Sequence, residues 1–177
     1  MSVATASLSV QVPVLQTQRL TLREPRLADF DTYADFSASL RAAFVGGPMD
    51  RAQAWRRFAT SVGHWILRGF GLWTIEDKAT GAVVGRTGLI AHEGWPETEL
   101  GWHIYDGYEG RGYAHEAAMA ARDHAMRDMG LPPMISLIAH DNIRSRRLAE
   151  RMGATVEREA EVTGIPCLIY RHPKAAA

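Results

Sequence analysis

A single mixed α/β domain, with elements in the order β-αα-βββ-α-β-α-ββ, is what the sequence predicts. Three observations lead there. Short runs alternate apolar and polar side chains, longer runs space apolar side chains at helical intervals, and glycines or prolines stand at the joints between them. The 177 residues, 46% hydrophobic and 23% charged, are enough to bury one core. Residues 1–15 are expected to be a loose leading segment, 16–172 the domain and 173–177 a loose tail.

Each element has its own signal. "RLTLREP" (19–25) sets Leu20 and Leu22 against Arg19, Thr21 and Arg23, a half-buried strand stopped by Pro25. Leu27, Phe30, Ala34 and Leu40 fall at helical spacing, as do Trp55, Phe58, Val62 and Ile66 behind an Asp50 cap, so two helices follow, joined by "FVGGP". "GLWTIED" and "AVVGRTGLIAH" read as a hairpin turning at Lys78 to Gly81, and "ETELGWHIYD" supplies the next strand. A glycine-rich loop and a helix to about Met129 come next. The strand "MISLIAH", the helix "RSRRLAERM" ended by Gly153 and two strands around Val156 and 167–171 complete the order.

Composition excludes several functions. The formal net charge is zero and the pI about 7.1, so neither nucleic acid nor an anionic membrane is the expected partner. The single Cys167 cannot form an internal disulfide, and no Cys-x-x-Cys or His-Glu-x-x-His spacing offers a metal site. "MSVATASLSVQVPVLQ" lacks a basic n-region and an unbroken apolar core, and no apolar run reaches the ~18 residues of a membrane span. A cytoplasmic, metal-free protein is expected, as a monomer or a homodimer.

Gly107, Gly110 and Gly112 lie between a strand and an alanine-rich helix. Such a turn converges backbone N–H groups on a helix N-terminus, where the macrodipole is positive, and the combination holds phosphate. A nucleoside-triphosphate loop needs Gly-Lys-Ser/Thr, whereas Tyr113 and Ala114 follow Gly112. A dinucleotide fingerprint needs a third glycine where His115 stands and an early βαβ position that this loop lacks.

A third reading rests on resemblance. "ELGWHIYDGYEGRGYAHEA", followed by "HDNIRSRRLAERMGA", resembles the acetyl-CoA-binding core of the GNAT N-acetyltransferase superfamily. "LQTQRLTLREPRLADFDTY" resembles the opening of its ribosomal-protein N-terminal acetyltransferase-like (RimJ/RimL-type) branch, and the likeness covers residues 15–172. The signature Gln/Arg-x-x-Gly-x-Gly/Ala is met from Gly110 to Ala114, with Glu109 departing at the first position. The resemblance implies a mixed central sheet with helices on both faces and an acetyl-CoA co-substrate. It implies phosphate contacts from the N–H groups of Gly110, Arg111, Gly112, Tyr113 and Ala114, and pantetheine contacts from the backbone of His103, Ile104 and Tyr105. For the Arg111 side chain, a CoA phosphate and a solvated surface position are both open. Ala114, Ala118, Ala121 and Ala125 share one helix face suited to close packing on a sheet.

In "ETELGWHI" the period of two puts Glu97, Glu99, Gly101 and His103 on one face and Leu100, Trp102 and Ile104 on the other. By resemblance Glu99 is the general base, the alternative being a solvent-facing strand residue. His103 is the reserve candidate, since an imidazole titrates near neutrality. Asn142 contacts the pantetheine amide by resemblance, and Asp141 or Asn142 is also a helix N-cap by type. Ser145 lies, by resemblance, near the thioester sulfur. Ala149 stands where many relatives carry the tyrosine that protonates the thiolate, which leaves Ser145, Tyr105, Tyr108 or water for that task. The basic run Arg144 to Arg147, with Arg151, reads as a solvated helix face that also meets the CoA 3′-phosphate, against a nucleic-acid patch.

The expected function is therefore acetyl transfer from acetyl-CoA to a primary amine by direct attack. A protein N-terminal α-amine is favoured because it needs less deprotonation than a lysine, and a small-molecule amine is the other acceptor. The alternative is a catalytically silent acyl-CoA sensor or partner-binding module on the same fold. Acceptor choice is expected to lie in residues 27–68 and in Trp95 to Glu97, where no motif is readable.

Overall fold

The structure is a computed structural model that describes residues 10–174, so the expectations for residues 1–9 and 175–177 lie outside the described residues. The elements are β1 (Leu15–Gln16), β2 (Leu20–Arg23), α1 (Phe30–Ala38), α2 (Arg51–Arg68), β3 (Leu72–Asp77), β4 (Val83–Ile90), β5 (Glu99–Ile104), α3 (Tyr113–Arg127), β6 (Ile135–Ile138), α4 (Ile143–Arg151), β7 (Thr155–Val162) and β8 (Ile165–Arg171). Two 3₁₀ turns, Leu27–Asp29 and Leu40–Val45, flank α1. The expected α/β order holds, with two additions. The expected "FVGGP" link begins inside the second of these turns. The two-residue β1 falls at the edge of the segment expected to be loose, and residues just before it are tied down: the Trp73 indole N–H donates to the Pro13 carbonyl at 2.7 Å.

Helix ends follow local chemistry. Asp50 caps α2 by accepting from the Gln53 N–H while the Gln53 side chain returns to the Asp50 N–H, and Gly69 ends the helix in the left-handed conformation.

All eight strands form one sheet in the order β1-β2-β3-β4-β5-β6-β8-β7, antiparallel at every junction except β5–β6. Helices cover both faces. Leu22, Ile75, Trp73, Leu89 and Leu100 bury one face beneath α3, where Ala117, Ala118, Ala121 and Ala125 are fully buried in the same cluster. Small side chains let the helix axis approach the strands. The opposite face, carrying Arg23, Thr74, Arg86 and His103 in register across β2 to β5, lies under α1 and α2, whose Phe30, Tyr33, Phe36 and Phe58 form a second cluster with Tyr105. Among the described residues no helix is long and apolar enough to cross a membrane.

Candidate active site

The sheet splits at one place. β5 and β6 run parallel but share a single registered pair, Glu99 with Ile135, and diverge beyond it. The edge of β5 that faces β6 is thereby left open between Leu100 and Ile104. A cavity of about 250 Å³ occupies the opening and extends over the α1–α2 face of β4 and β5. Glu99, Gly101, His103, Arg86, Trp95, Asn142 and Ser145 all line it.

Glu99 sits at the apex of the split. Its Oε2 accepts from the Trp95 indole N–H at 2.7 Å, and its Oε1 accepts from the Leu137 N–H of β6 at 3.3 Å, a donor that ladder pairing would otherwise use. Burial pushes its carboxyl up to about 7, against the pull of these two donors. His103, two positions beyond Gly101, behaves in the opposite way. Burial, then the charges of Arg86 and Arg57, push its imidazole down to about 3. It is a neutral ring at physiological pH, stacked on Phe36, with a buried Nδ1 lacking a hydrogen-bond partner. A ring so placed holds a proton less readily than the Glu99 carboxylate does.

The glycine loop ends at the α3 N-terminus. Gly110 and Gly112 have φ of 75° and 80°, in the left-handed region, and Gly112 is the N-cap. The N–H groups of Tyr113 and Ala114 open the helix, where helical geometry provides no acceptor for them. That arrangement fits the phosphates of the acetyl-CoA implied by the sequence. The Arg111 side chain turns back on its own loop, donating to the Gly107 carbonyl at 2.8 Å with its guanidinium over the Tyr108 ring.

Two braces of this loop escape sequence reading. Arg19 donates to Glu116 at 2.7 Å and to the Arg111 carbonyl at 2.8 Å, and it lies over the Tyr113 ring. Glu109, the residue that departs from the signature, pairs with Arg41 at 2.5 Å, and Arg41 also donates to the Ile104 carbonyl at 3.2 Å. The unusual glutamate thus ties the cofactor loop to the 3₁₀ turn after α1. Both partnerships span more than sixty residues of sequence, and no local pattern announces them.

At the far side of the split, Asn142 caps α4, its side chain accepting from the Ser145 N–H at 3.2 Å. Ser145 Oγ accepts from the Trp102 indole N–H at 3.3 Å, so its own proton is free to be given elsewhere. Ala149 points away from the cavity. It is fully buried among Ile138, Ala154, Leu168 and Tyr170. Tyr105, expected beside the pantetheine arm and as a proton donor, is turned from both tasks: its N–H donates to the Val84 carbonyl at 3.0 Å and its ring is buried against Phe36. The His103 main chain, two positions before Tyr105, faces Arg86 of β4 in the same way, and Trp102 and Ile104 remain on the open stretch of β5.

Comparison with known proteins agrees with this geometry. A family profile described as "Acetyltransferase (GNAT) domain" matches residues 19–155. The crystal structure of an acetyltransferase from Agrobacterium tumefaciens str. C58 superposes with a TM-score of 0.87 at 40% identity, covering 97% of this chain and 100% of that one. The uncharacterized protein YkkB of Bacillus subtilis is 32% identical over 104 residues, 58% of this chain and 60% of that protein. The L-2,4-diaminobutyric acid acetyltransferase of Streptomyces coelicolor is 36% identical over 103 residues, 50% of this chain and 60% of that enzyme. With a glycine loop at the α3 N-terminus, a sheet split at Glu99 and a profile match over most of its length, the chain belongs to the GNAT acetyltransferase family.

Proposed function

We propose that the protein is an acetyl-CoA-dependent N-acetyltransferase of a primary amine, with Glu99 as the general base. The carrying observation is the Glu99 carboxylate at the apex of the β5–β6 split, held by Trp95 and Leu137 and tuned to about 7. A base of that strength is half ionised near neutral pH, where proton transfer from an attacking amine is best matched.

Bound acetyl-CoA supplies the activated acyl carbon, whose bond to sulfur breaks as the bond to the amine nitrogen forms. The loop from Gly110 to Ala114 and the α3 N-terminus hold the phosphates. The open edge at Trp102 and Ile104 receives the pantetheine arm in the manner of an added strand, with Asn142 opposite. Glu99 takes the proton released by the amine nitrogen. Ser145 is oriented by Trp102 to donate a hydrogen bond to the departing thiolate, a role for which Ala149 has no group and Tyr105 no access, and the thiolate takes its proton from solvent.

Two acceptors compete. The likeness to the ribosomal-protein branch suggests a protein N-terminus. The diaminobutyric acid enzyme among the relatives favours a small amino compound. The test is release of free CoA from acetyl-CoA that depends on added amine, with the acetamide identified by mass spectrometry. Tight acetyl-CoA binding with no transfer to peptides, amino acids or polyamines would instead mark a silent acyl-CoA sensor.

A further inference from the structure

We infer that the acceptor carries a carboxylate, bound at the Arg86 and Arg57 end of the cavity while its amine lies at Glu99. This deepens the N-acetyltransfer reading and rests on it. Register sets the frame: Arg86 stands directly opposite His103, and Ile90 opposite Glu99, so these side chains rise from one face of β4 and β5. Between Glu99 and His103 stands Gly101, whose added Cβ would meet only the Ile90 side chain within 4 Å. The floor between the two ends is therefore low, bordered by the Ile90 side chain. Four residues of strand separate Glu99 from His103, about 13 Å before the side chains lean inward. The Glu99 and Arg86 side chains can reach across part of that span, and an acceptor with several methylenes between amine and carboxylate covers the rest.

The charge at that end is unmatched. Arg86 is 2% exposed, and a buried guanidinium ordinarily has an anionic partner. The other buried arginines do: Arg23 is held by Asp29 and Glu76, and Arg122 by Asp123. Arg86 donates to the Ser61 hydroxyl and lies over the Tyr33 and Phe58 rings at 5.0 and 5.4 Å. Among the described residues it forms no ion pair, and its Nε, like the facing His103 Nδ1, is buried without a hydrogen-bond partner. Arg57, the more exposed of the two, donates to the Val45 carbonyl and likewise pairs with no carboxylate there. Two guanidiniums without carboxylate partners line one cavity, and a carboxylate entering it meets the charge that both supply. Their field is felt locally, since Arg86 and Arg57 contribute to the depressed proton affinity of His103, and Arg57 to that of His92.

The test compares glycine, β-alanine, γ-aminobutyrate and δ-aminovalerate with methylamine, ethylamine, propylamine and butylamine, the same amines without the carboxylate. CoA release gives kcat/KM for each. At least one amino acid is expected to exceed its alkylamine by roughly 10- to 100-fold. Arg86→Gln should collapse that ratio toward one, mainly through KM, and Arg86→Lys should keep part of it. A ratio near one in the wild-type enzyme, or one that survives both Arg86→Gln and the surface variant Arg57→Gln, overturns the inference and leaves acetyl transfer standing. If no amine is acetylated, the transfer reading fails, and an NMR titration of the CoA-saturated protein with γ-aminobutyrate and with propylamine still decides. Saturable shifts with the amino acid alone, lost in Arg57→Gln, support the anion site, and equal or absent shifts overturn it.

Discussion

Glu99 is governed by its burial and by two donors, and the balance is open to a single substitution. Burial favours its neutral acid, whereas the Trp95 indole and the Leu137 N–H favour the carboxylate. Trp95→Phe keeps an aromatic ring and removes one donor, so the carboxyl should rise above about 7 and the acidic limb of kcat/KM should move to higher pH. An unmoved limb would mean that the limb reports another group. The sharing of one face by Glu99 and His103 was legible in the period of two, because alternation is a local property of a strand. Their shifted proton affinities were not, since burial drives both, and the charges of Arg86 and Arg57, which reach His103 from β4 and α2, add to its effect on the imidazole.

The elements that frame the cofactor site can be tested separately. Gly112→Val puts a β-branched residue at a φ of 80°, with its Cβ 3.3 Å from an Arg19 nitrogen, so the loop must open or tilt. CoA affinity by calorimetry should fall at least tenfold, and an unchanged affinity would remove the phosphates from this loop. In α4, Ala149→Tyr tests whether that helix position faces the sulfur. Ala149 is enclosed by Ile138, Leu168 and Tyr170, so the phenol should overpack the core, lowering stability by about 1–3 kcal/mol or more and lowering Tm, without raising kcat. A faster enzyme of normal stability would contradict this packing. The glycine loop and the α4 cap were legible because Gly-x-Gly before a helix and Asn at its start are short-range signals. The two-residue β1, the braces from Arg19 and Arg41 and the parting of β5 from β6 were not, because each is decided by partners distant in sequence.

For the molecule as a whole, a buried network joins the first third of the chain to the sheet. Arg23 grips Asp29 with two bonds of 2.9 Å and Glu76 with one of 2.8 Å, and Thr74 donates to Asp29 as well. Burial pushes the Asp29 carboxyl up, but its bonds from Arg23 and the Arg26 N–H outweigh that and hold it below the usual carboxylate range. Its contribution is therefore present above the unfolded value of about 3.9 and is lost as pH falls through the lower folded value. Asp29→Asn should cost about 3–5 kcal/mol in urea unfolding at neutral pH, with the gap to wild type narrowing in acid. A loss below 1 kcal/mol would show that α1 docks without this pair. The α1–α2 layer so docked forms one wall of the cavity over Glu99, where stability and chemistry meet. The most direct test of that chemistry is the pH dependence of amine-dependent CoA release in the wild-type enzyme and in Glu99→Gln. The wild-type kcat/KM should fall as pH drops through about 7, and the variant should be slower by about 10²-fold or more and lack that limb while binding CoA normally. A variant with the wild-type rate and the same acidic limb would contradict the assignment of the base to Glu99.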